Sequence, residues 1–536
     1  MLVMQAVTVR RHRAKHGAAA WWRMAAVCGL AALSATAARG ETLAEAIARA
    51  YQINPALAAQ RAQVKLADEA YVQARAGLRP QVNASSTASY SRTSVNAGRG
   101  TFVDTNGDGI PDTAITGSGV TERNLGNASL SLSQPIYTGG RTTASITAAE
   151  AEILAARETL RESEGNLLLS VVQAYVDVRR DQRIVEIRQQ DVQTLARRLE
   201  ETQARFDVGE LTGTDVAQAK ARLGTSRAQL AAAEGQLEIS AAAYAAVVGD
   251  DPDELAPRPD LDPLLPTTIG QAYETADQQS PRIGSAELTE RGSRARIAFA
   301  KAQRRPTVSV RTGYGYSGQI DPFVADRFAR NLSASVVTTL PLYSGGIVSS
   351  QVEQAVQRNN IDRLRLETTE RQVRQAVAQT WSRLRTPRAA IAANEEVVKA
   401  ARFALEGVRL EFELGLRTTL DVLNAEQELR SAELALVTSR RDAYVASAAL
   451  LNAQGRLEAR ALAPQLALYD PAVSFRRRAA PGVWAPIDHL TQGLDRIGAP
   501  RGAAPVDLPD PARGQTEGTA TGIKGESARG SPAPDQ

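Results

Sequence analysis

Few side chains among these 536 residues have the spacing that chemistry asks for. The clearest set lies in the segment DTNGDGIPD, where Asp104, Asn106 and Asp108 alternate, Gly109 supplies a turn and Asp112 follows. Oxygen ligands at alternating positions around a glycine turn are how short loops hold calcium. Ile115 stands at the twelfth position, where a carboxylate would complete such a loop, so the site expected here is a weak one. The same residue types also build ordinary turns.

Other chemistries lack the residues they need. His12, His16 and the single cysteine, Cys28, all precede residue 40, leaving only His489 beyond it. A cluster of His and Cys for a transition metal cannot form from that set in one chain. One histidine in a Pro-rich tail is also a poor base for a serine or cysteine nucleophile. No nucleotide-binding motif is present, and an enzyme is not expected.

The N-terminus sets the compartment. Arg10, Arg11, Arg13, Lys15 and Arg23 precede an apolar run from Met24 to Leu33, and mostly small residues follow as far as Gly40. That order is a secretory leader, 1–40, cleaved after Ala37 or, preferably, after Gly40. Removing its six Lys and Arg takes the formal charge from +4 to −2, so no basic surface remains to argue for nucleic acid. Cys28 lies inside the leader after Ala26 and Val27, which is no lipidation site, and the mature chain is expected to hold neither disulfide nor lipid anchor. Beyond the leader no apolar stretch approaches the length of a spanning helix. A membrane would have to be entered as strands.

The elements that position these residues come in two copies. Pro55 and Pro80 recur as Pro281 and Pro306, an offset of 226. QPIYTGGR and LPLYSGGI then align Pro135, Tyr137, Gly139 and Gly140 with Pro341, Tyr343, Gly345 and Gly346 at an offset of 206. RFDVGELTGTDV and EFELGLRTTLDV keep that offset, matching Phe206, Gly209, Thr212 and Asp215 to Phe412, Gly415, Thr418 and Asp421. The twenty residues lost between the two offsets place an insertion in the first copy, at the exposed tip of a hairpin. The resulting division is a first repeat, 41–250, with a β-hairpin at 81–137 and a helical hairpin at 140–248. A linker, 251–266, leads to a second repeat, 267–456, with hairpins at 307–343 and 346–455.

Flanking the insertion and its counterpart, segments such as QVNASSTASYS and TVSVRTGYGYS alternate at period two over about ten residues, the length of a tilted membrane strand. After each Gly-Gly, helix-forming sequence continues for about 65 residues, close to 100 Å at about 1.5 Å per residue, with Pro387 expected to kink the second copy. The returning helices carry heptads: Val216, Leu223, Leu230 and Leu237 in one, Val422, Leu429, Leu436, Ala443 and Leu450 in the other. Between them sit the small residues Ala219, Ser226, Ala233 and Ser240. Such seams specify close, nearly parallel helix packing. Gly209 and Gly415 can end one helix in the left-handed conformation, and Thr212, Thr214 or Thr418 can cap the next. Four strands are too few to close a membrane barrel, so several chains must share one. From Arg456 onward the chain is rich in Pro, Ala, Gly and Arg without apparent apolar periodicity, and the tail 457–536 is expected to be largely disordered.

The duplicated Pro-x-Tyr-x-Gly-Gly and Gly-x-x-Thr-x-x-Asp-Val motifs resemble those of the TolC-like outer-membrane efflux proteins, over roughly Leu43 to Gly455. The resemblance implies an α+β membrane protein of long coiled-coil α-helices with two β-hairpins per chain. It would assemble as a homotrimer whose twelve-stranded β-barrel continues into a twelve-helix α-barrel. The family's role is passive. It forms the exit duct of tripartite pumps and type I secretion systems, in outer-membrane lipid, joined to a periplasmic adaptor (membrane fusion protein) and an inner-membrane RND or ABC transporter.

Pro135 to Gly140 and Pro341 to Gly346 would then form the barrel-to-helix junctions. Gly209, Thr212, Gly415 and Thr418 would mark the adaptor-docking tips. In the family a tyrosine and an arginine near the second tip latch onto Thr and Asp of the first, and aspartates ring the pore. Arg417, Thr214, Asp215 and Asp421 match those positions, whereas Phe412 replaces the tyrosine and Asn424 a second aspartate. Both departures imply easier opening. No cofactor is implied beyond the weak calcium site. The competing reading is a periplasmic coiled-coil adaptor or scaffold without a barrel.

Overall fold

The computed structural model describes residues 40–95, 101–103, 109–110, 113–115, 119–321, 324–479, 485–497 and 499. All of the expected leader but Gly40 lies outside them. Helix starts follow local rules. Thr42 caps α1 (Leu43–Ile53) in a reciprocal box with Glu45. Asn54 then accepts from the N–H groups of Ala56 and Leu57 to open α2 (Pro55–Ala76), with proline at the first position, where no N–H is needed. The second copy repeats the helix pair as α5 (Ile269–Gln279) and α6 (Pro281–Ala302), of the same 11 and 22 residues. Thr268 caps α5 by accepting from the Gln271 N–H, whereas Ser280 makes no side-chain cap and α6 keeps only the initial proline.

Each copy then enters its strands: β1 (Gln81–Val95) and β4 (Gly119–Tyr137), then β5 (Thr307–Gln319) and β6 (Ala329–Thr339). A small hairpin of β2 (Thr101–Val103) and β3 (Thr113–Ile115) lies in the insertion. The four long strands form one antiparallel sheet in the order β1-β4-β5-β6. Its register sorts the side chains by face. Leu132 pairs with Val82 and Thr312, and Leu130 pairs with Ala84 and Tyr314. Leu332 and Val336 continue that row opposite Tyr314 and Val310. The other face carries Asn83, Ser85, Ser129, Ser131, Ser309, Ser333 and Ser335, and the Ser85 and Ser129 hydroxyls meet at 2.9 Å. One face is apolar and the other hydroxyl-rich, yet Leu130, Leu332 and Val336 on the apolar side are exposed.

Two helical hairpins extend from the sheet. The first is α3 (Arg141–Asp207) and α4 (Gly213–Val248), and the second is α7 (Ile347–Glu413) and α8 (Thr419–Ala453). The leading helices have 67 residues each, about 100 Å at about 1.5 Å per residue. Helix α7 continues through Pro387. The seams are packed chiefly at their small positions in α4, where Ala219, Ser226, Ala233 and Ser240 are buried with Leu223 while Val216, Leu230 and Leu237 are half-buried. In α8 Val422, Leu429, Ala432, Ala443 and Leu450 are buried and Leu436 is half-buried.

The main core lies midway along the helices. There α1, the middle of α3 and the ends of α4 and α8 converge on Ile47, Val171, Tyr175, Tyr244, Ala448 and Leu451. The buried Tyr175 hydroxyl contacts the carbonyl oxygens of both Glu41 and Ala256, at 2.9 and 2.7 Å. Burial pushes its phenol up to about 12. The second copy builds a smaller equivalent from Ile283, Val373, Val377 and Leu384.

The expectation for the tail needs correction over part of its length. Leu457, Leu462 and the short helix α9 (Ala459–Leu462) join the main core. Leu466 and Tyr469 pack beside Tyr51 and Leu160. Helix α10 (Pro471–Ala479) lies along α2, with Phe475 against Tyr71 and Ser474 donating to Asp68 at 2.9 Å. A further helix, α11 (Ala485–Ile497), docks near the end of β4. Its apolar residues Ile487, Leu490, Leu494 and Ile497 do keep a helical period, hidden by the Pro, Gly and Arg around them. Residues 500–536 lie outside the described residues.

Candidate functional site

The chemistry-bearing residues fall in three places. Of the calcium candidates, Asp104, Asn106, Asp108 and Asp112 lie outside the described residues, while Gly109 has a positive φ of 83°. Among the described residues no group of three or more His, Cys, Asp and Glu could hold a metal ion.

The two junctions have matching motifs but different surroundings. In the first, Pro135 and Tyr137 belong to β4 and the register shifts between them. Gly139 and Gly140 then turn at φ +71° and +83° into α3. The turn is tight, since a Cβ on Gly139 would lie 2.7 Å from that of Arg305. In the second, β6 ends at Thr339, four residues short of the expected Tyr343. Pro341 and Tyr343 therefore lie outside the sheet, and Tyr343 is 89% exposed. Gly345 and Gly346 keep φ +60° and +83°, with nothing within 4 Å of a Cβ at either. Among the described residues of one chain, the second junction has no counterpart of the α6-to-β5 segment that covers the first.

The helical tips are near copies of one another. Gly209 and Gly415 adopt φ +82° and +74°, and the next N–H groups, of Glu210 and Leu416, reach back 2.9 Å to the carbonyls of Arg205 and Glu411. That closure ends a helix sharply. Thr212 and Thr418 then start the returning helices, each in a capping box with the aspartate three residues on. Asp215 accepts from the Thr212 hydroxyl at 2.7 Å and Asp421 from the Thr418 hydroxyl at 2.8 Å. The hydroxyl and N–H of Thr212 hold the Asp215 carboxyl below the usual carboxylate range. The N–H and hydroxyl of Thr418 do the same for Asp421. Thr214, in the first turn of α4, is not the cap.

The expected latch pairs do not form within one chain. Arg417 donates instead to Glu411 at 2.7 Å, which pushes the guanidinium pKa up. Phe412 faces the first copy through its ring: the Arg205 guanidinium stands 5.1 Å from its centroid, beside a small cavity shared with Leu211, Val422 and Leu423. Asn424 accepts from Arg222 at 3.0 Å, and the same guanidinium donates to Gln427. Arg222 thus ties α4 to α8 at the position where a second aspartate was expected.

Sequence reasoning passed over Arg222 and a buried charged cluster a few turns above the tips. Asp191 of α3 accepts from Ser226 of α4 at 2.6 Å and lies 3.7 Å from Arg430 of α8. Glu426 of α8, 4% exposed, meets Arg409 of α7 at 2.7 Å and Arg198 of α3 at 3.5 Å. All four long helices meet in this cluster. A signal existed, because Glu426 lies on the stripe of Val422 and Leu429, and Asp191 on that of Ile187 and Leu195. A carboxylate on an apolar stripe must find a partner.

Comparison with known proteins agrees with this architecture. The family described as "Outer membrane efflux protein" matches residues 46–250 and 272–456, the two halves of the duplication. The chain is 34% identical over 446 residues to the outer membrane efflux protein BepC of Brucella suis, covering 83% of this chain and 92% of that protein. It is 28% identical over 423 residues to the outer membrane protein TolC of Vibrio cholerae, covering 78% and 91%. The crystal structure of a membrane protein from Pseudomonas aeruginosa superposes with a TM-score of 0.65 at 22% identity, covering 77% of this chain and 93% of that one. Duplicated hairpins, matched tips and these similarities together identify the chain as a member of the outer membrane efflux protein family.

Proposed function

We propose that three copies of this outer-membrane efflux channel close into a single duct, the passive exit of a tripartite pump or type I secretion system. The observation that carries this reading is the four-stranded sheet, with one apolar and one hydroxyl-rich face and two open edges, β1 and β6. An open edge in lipid leaves backbone groups unpaired, at a cost of several kcal/mol each. Three sheets joined edge to edge would remove every edge, face apolar rows to lipid and line the duct with hydroxyls. The bare second junction supports the same assembly, because a neighbouring chain would supply there what α6 and β5 supply at the first. A coiled-coil adaptor has no use for such a sheet.

At the far end, the exposed tip residues Val208, Leu414 and Leu416, with the turns at Gly209 and Gly415, form the surface for a periplasmic adaptor. The inner-membrane transporter supplies the energy. Closure rests on Arg222 and the charged cluster within each chain, and on Arg417 toward a neighbouring chain. Electron microscopy of detergent-extracted protein tests the reading. Three-fold particles with a hollow stalk on the order of 100 Å are expected, and solid rod-like dimers would sink it.

A further inference from the structure

Helix α11 is built inside out. Its protein-facing side is polar: Asp488, Thr491 and Asp495 are at most 1% exposed. Asp488 receives Arg75 at 3.3 Å and Arg79 at 3.1 Å, at and just beyond the C-terminal end of α2. Asp495 sits at the start of α3, accepting from the Thr138, Gly140 and Thr143 N–H groups at 2.8, 3.1 and 3.2 Å. The hydroxyls of Thr138 and Thr143 add 2.9 Å bonds. These contacts fix the helix's rotation. An adjoining side, about a third of a turn round from the aspartates and left outward, carries Ile487, Leu490, Leu494 and Ile497, from 37% to 84% exposed.

We propose that this outward stripe lies in the periplasmic leaflet of the outer membrane, with phospholipid acyl chains as its occupant. The inference rests on the barrel reading above. Two observations favour lipid. The helix docks on Thr138 and Gly140, the residues directly after β4, and so lies where the apolar row of Leu130 and Leu132 on that strand runs out. With 13 residues it is also too short to cross a bilayer, which takes about 20. A short helix with one apolar face, held at that level, lies along the interface. His489 and Arg496 flank the stripe and are exposed, where headgroups would meet them. The tail thereby acts as a collar, pinned to the protein by carboxylates and to the membrane by aliphatic side chains.

Spin labels test this in the full chain. With Cys28→Ser removing the only cysteine, single variants Leu490→Cys, Leu332→Cys and Phe403→Cys carry a nitroxide in vesicles of phosphatidylethanolamine and phosphatidylglycerol. Leu332 reports the apolar sheet face, and Phe403, 80% exposed on α7, reports water. The label at 490 is expected to favour oxygen over a water-soluble nickel chelate, as the label at 332 does. A label at 490 that behaves like the one at 403 overturns the proposal, as does one shielded from both reagents by a neighbouring chain. If 332 itself reads as water, the barrel reading fails, and the result at 490 still decides the helix separately.

Discussion

Arg222 and Arg417 occupy neighbouring levels of the tips but hold different partners, and their substitutions should separate. Arg222→Ala removes the donor shared by Asn424 and Gln427, loosening α4 from α8 in each chain. Arg417→Ala releases Glu411 and removes the cation available to a neighbour. Single-channel conductance in planar bilayers is expected to rise in either variant and further in the double. Wild-type conductance in both would remove these arginines from the gate. The caps behave differently. Thr212→Ala should cost about 1 kcal/mol, read as faster hydrogen exchange at the start of α4. The Asp215 and Asp421 carboxyls have folded pKa values below the ordinary 3.8. Their contribution is therefore complete above that value and is lost as pH falls through the depressed ones. Protection at both tips, taken relative to the intrinsic exchange rate at each pH, should fall on acidification below 3.8 and stay flat above it. Protection that already changes near neutral pH would contradict the capping account.

Among the elements, the two junctions offer the sharpest contrast. An alanine at Gly139 must adopt a left-handed conformation, costing about 1–2 kcal/mol, and also push its Cβ to 2.7 Å from that of Arg305. Gly345→Ala meets only the backbone cost within one chain. Carried through the repeat offsets, however, Arg79 of the next chain takes the place of Arg305. Gly139→Ala is thus expected to lower the protomer's thermal stability, whereas Gly345→Ala should chiefly weaken the trimer band in unheated gels. Equal effects on both readouts would contradict the equivalence. The same repeat logic explains what could be read beforehand. Glycines with positive φ, capping threonines and heptad seams are local, and Gly209, Thr418 and Leu223 appear where their spacing places them. The roles of Arg222, Asp191 and Glu426 depend on helices far apart in sequence, so their partners are not visible in any one segment. The stripe of α11 is local too, but its inverted polarity makes sense only beside Arg75, Arg79 and the start of α3.

On the scale of the whole molecule, the duplication places the chain one step short of closure. The first copy's β4 pairs with the second copy's β5, and the second copy's β6, paired to β5 on one side, has no strand on its outer edge among the described residues. If the assembly repeats the internal pairing, β6 meets β1 of the next chain in the same register. Ser129 stands opposite Gly315 within the chain. The offsets of 206 and 226 therefore put Ser335 opposite Ser89 of the neighbour, on the hydroxyl-rich face. Directly opposed antiparallel residues have Cα atoms about 4.5–5.5 Å apart, inside the roughly 4.4–6.8 Å that a disulfide spans. The most direct test oxidises the Ser89→Cys/Ser335→Cys variant, in a Cys28→Ser background, in outer-membrane fractions. The account predicts covalent trimers that reducing agent returns to monomers, with neither single variant forming them. Monomers alone, from protein that reaches the membrane folded, would contradict the shared barrel.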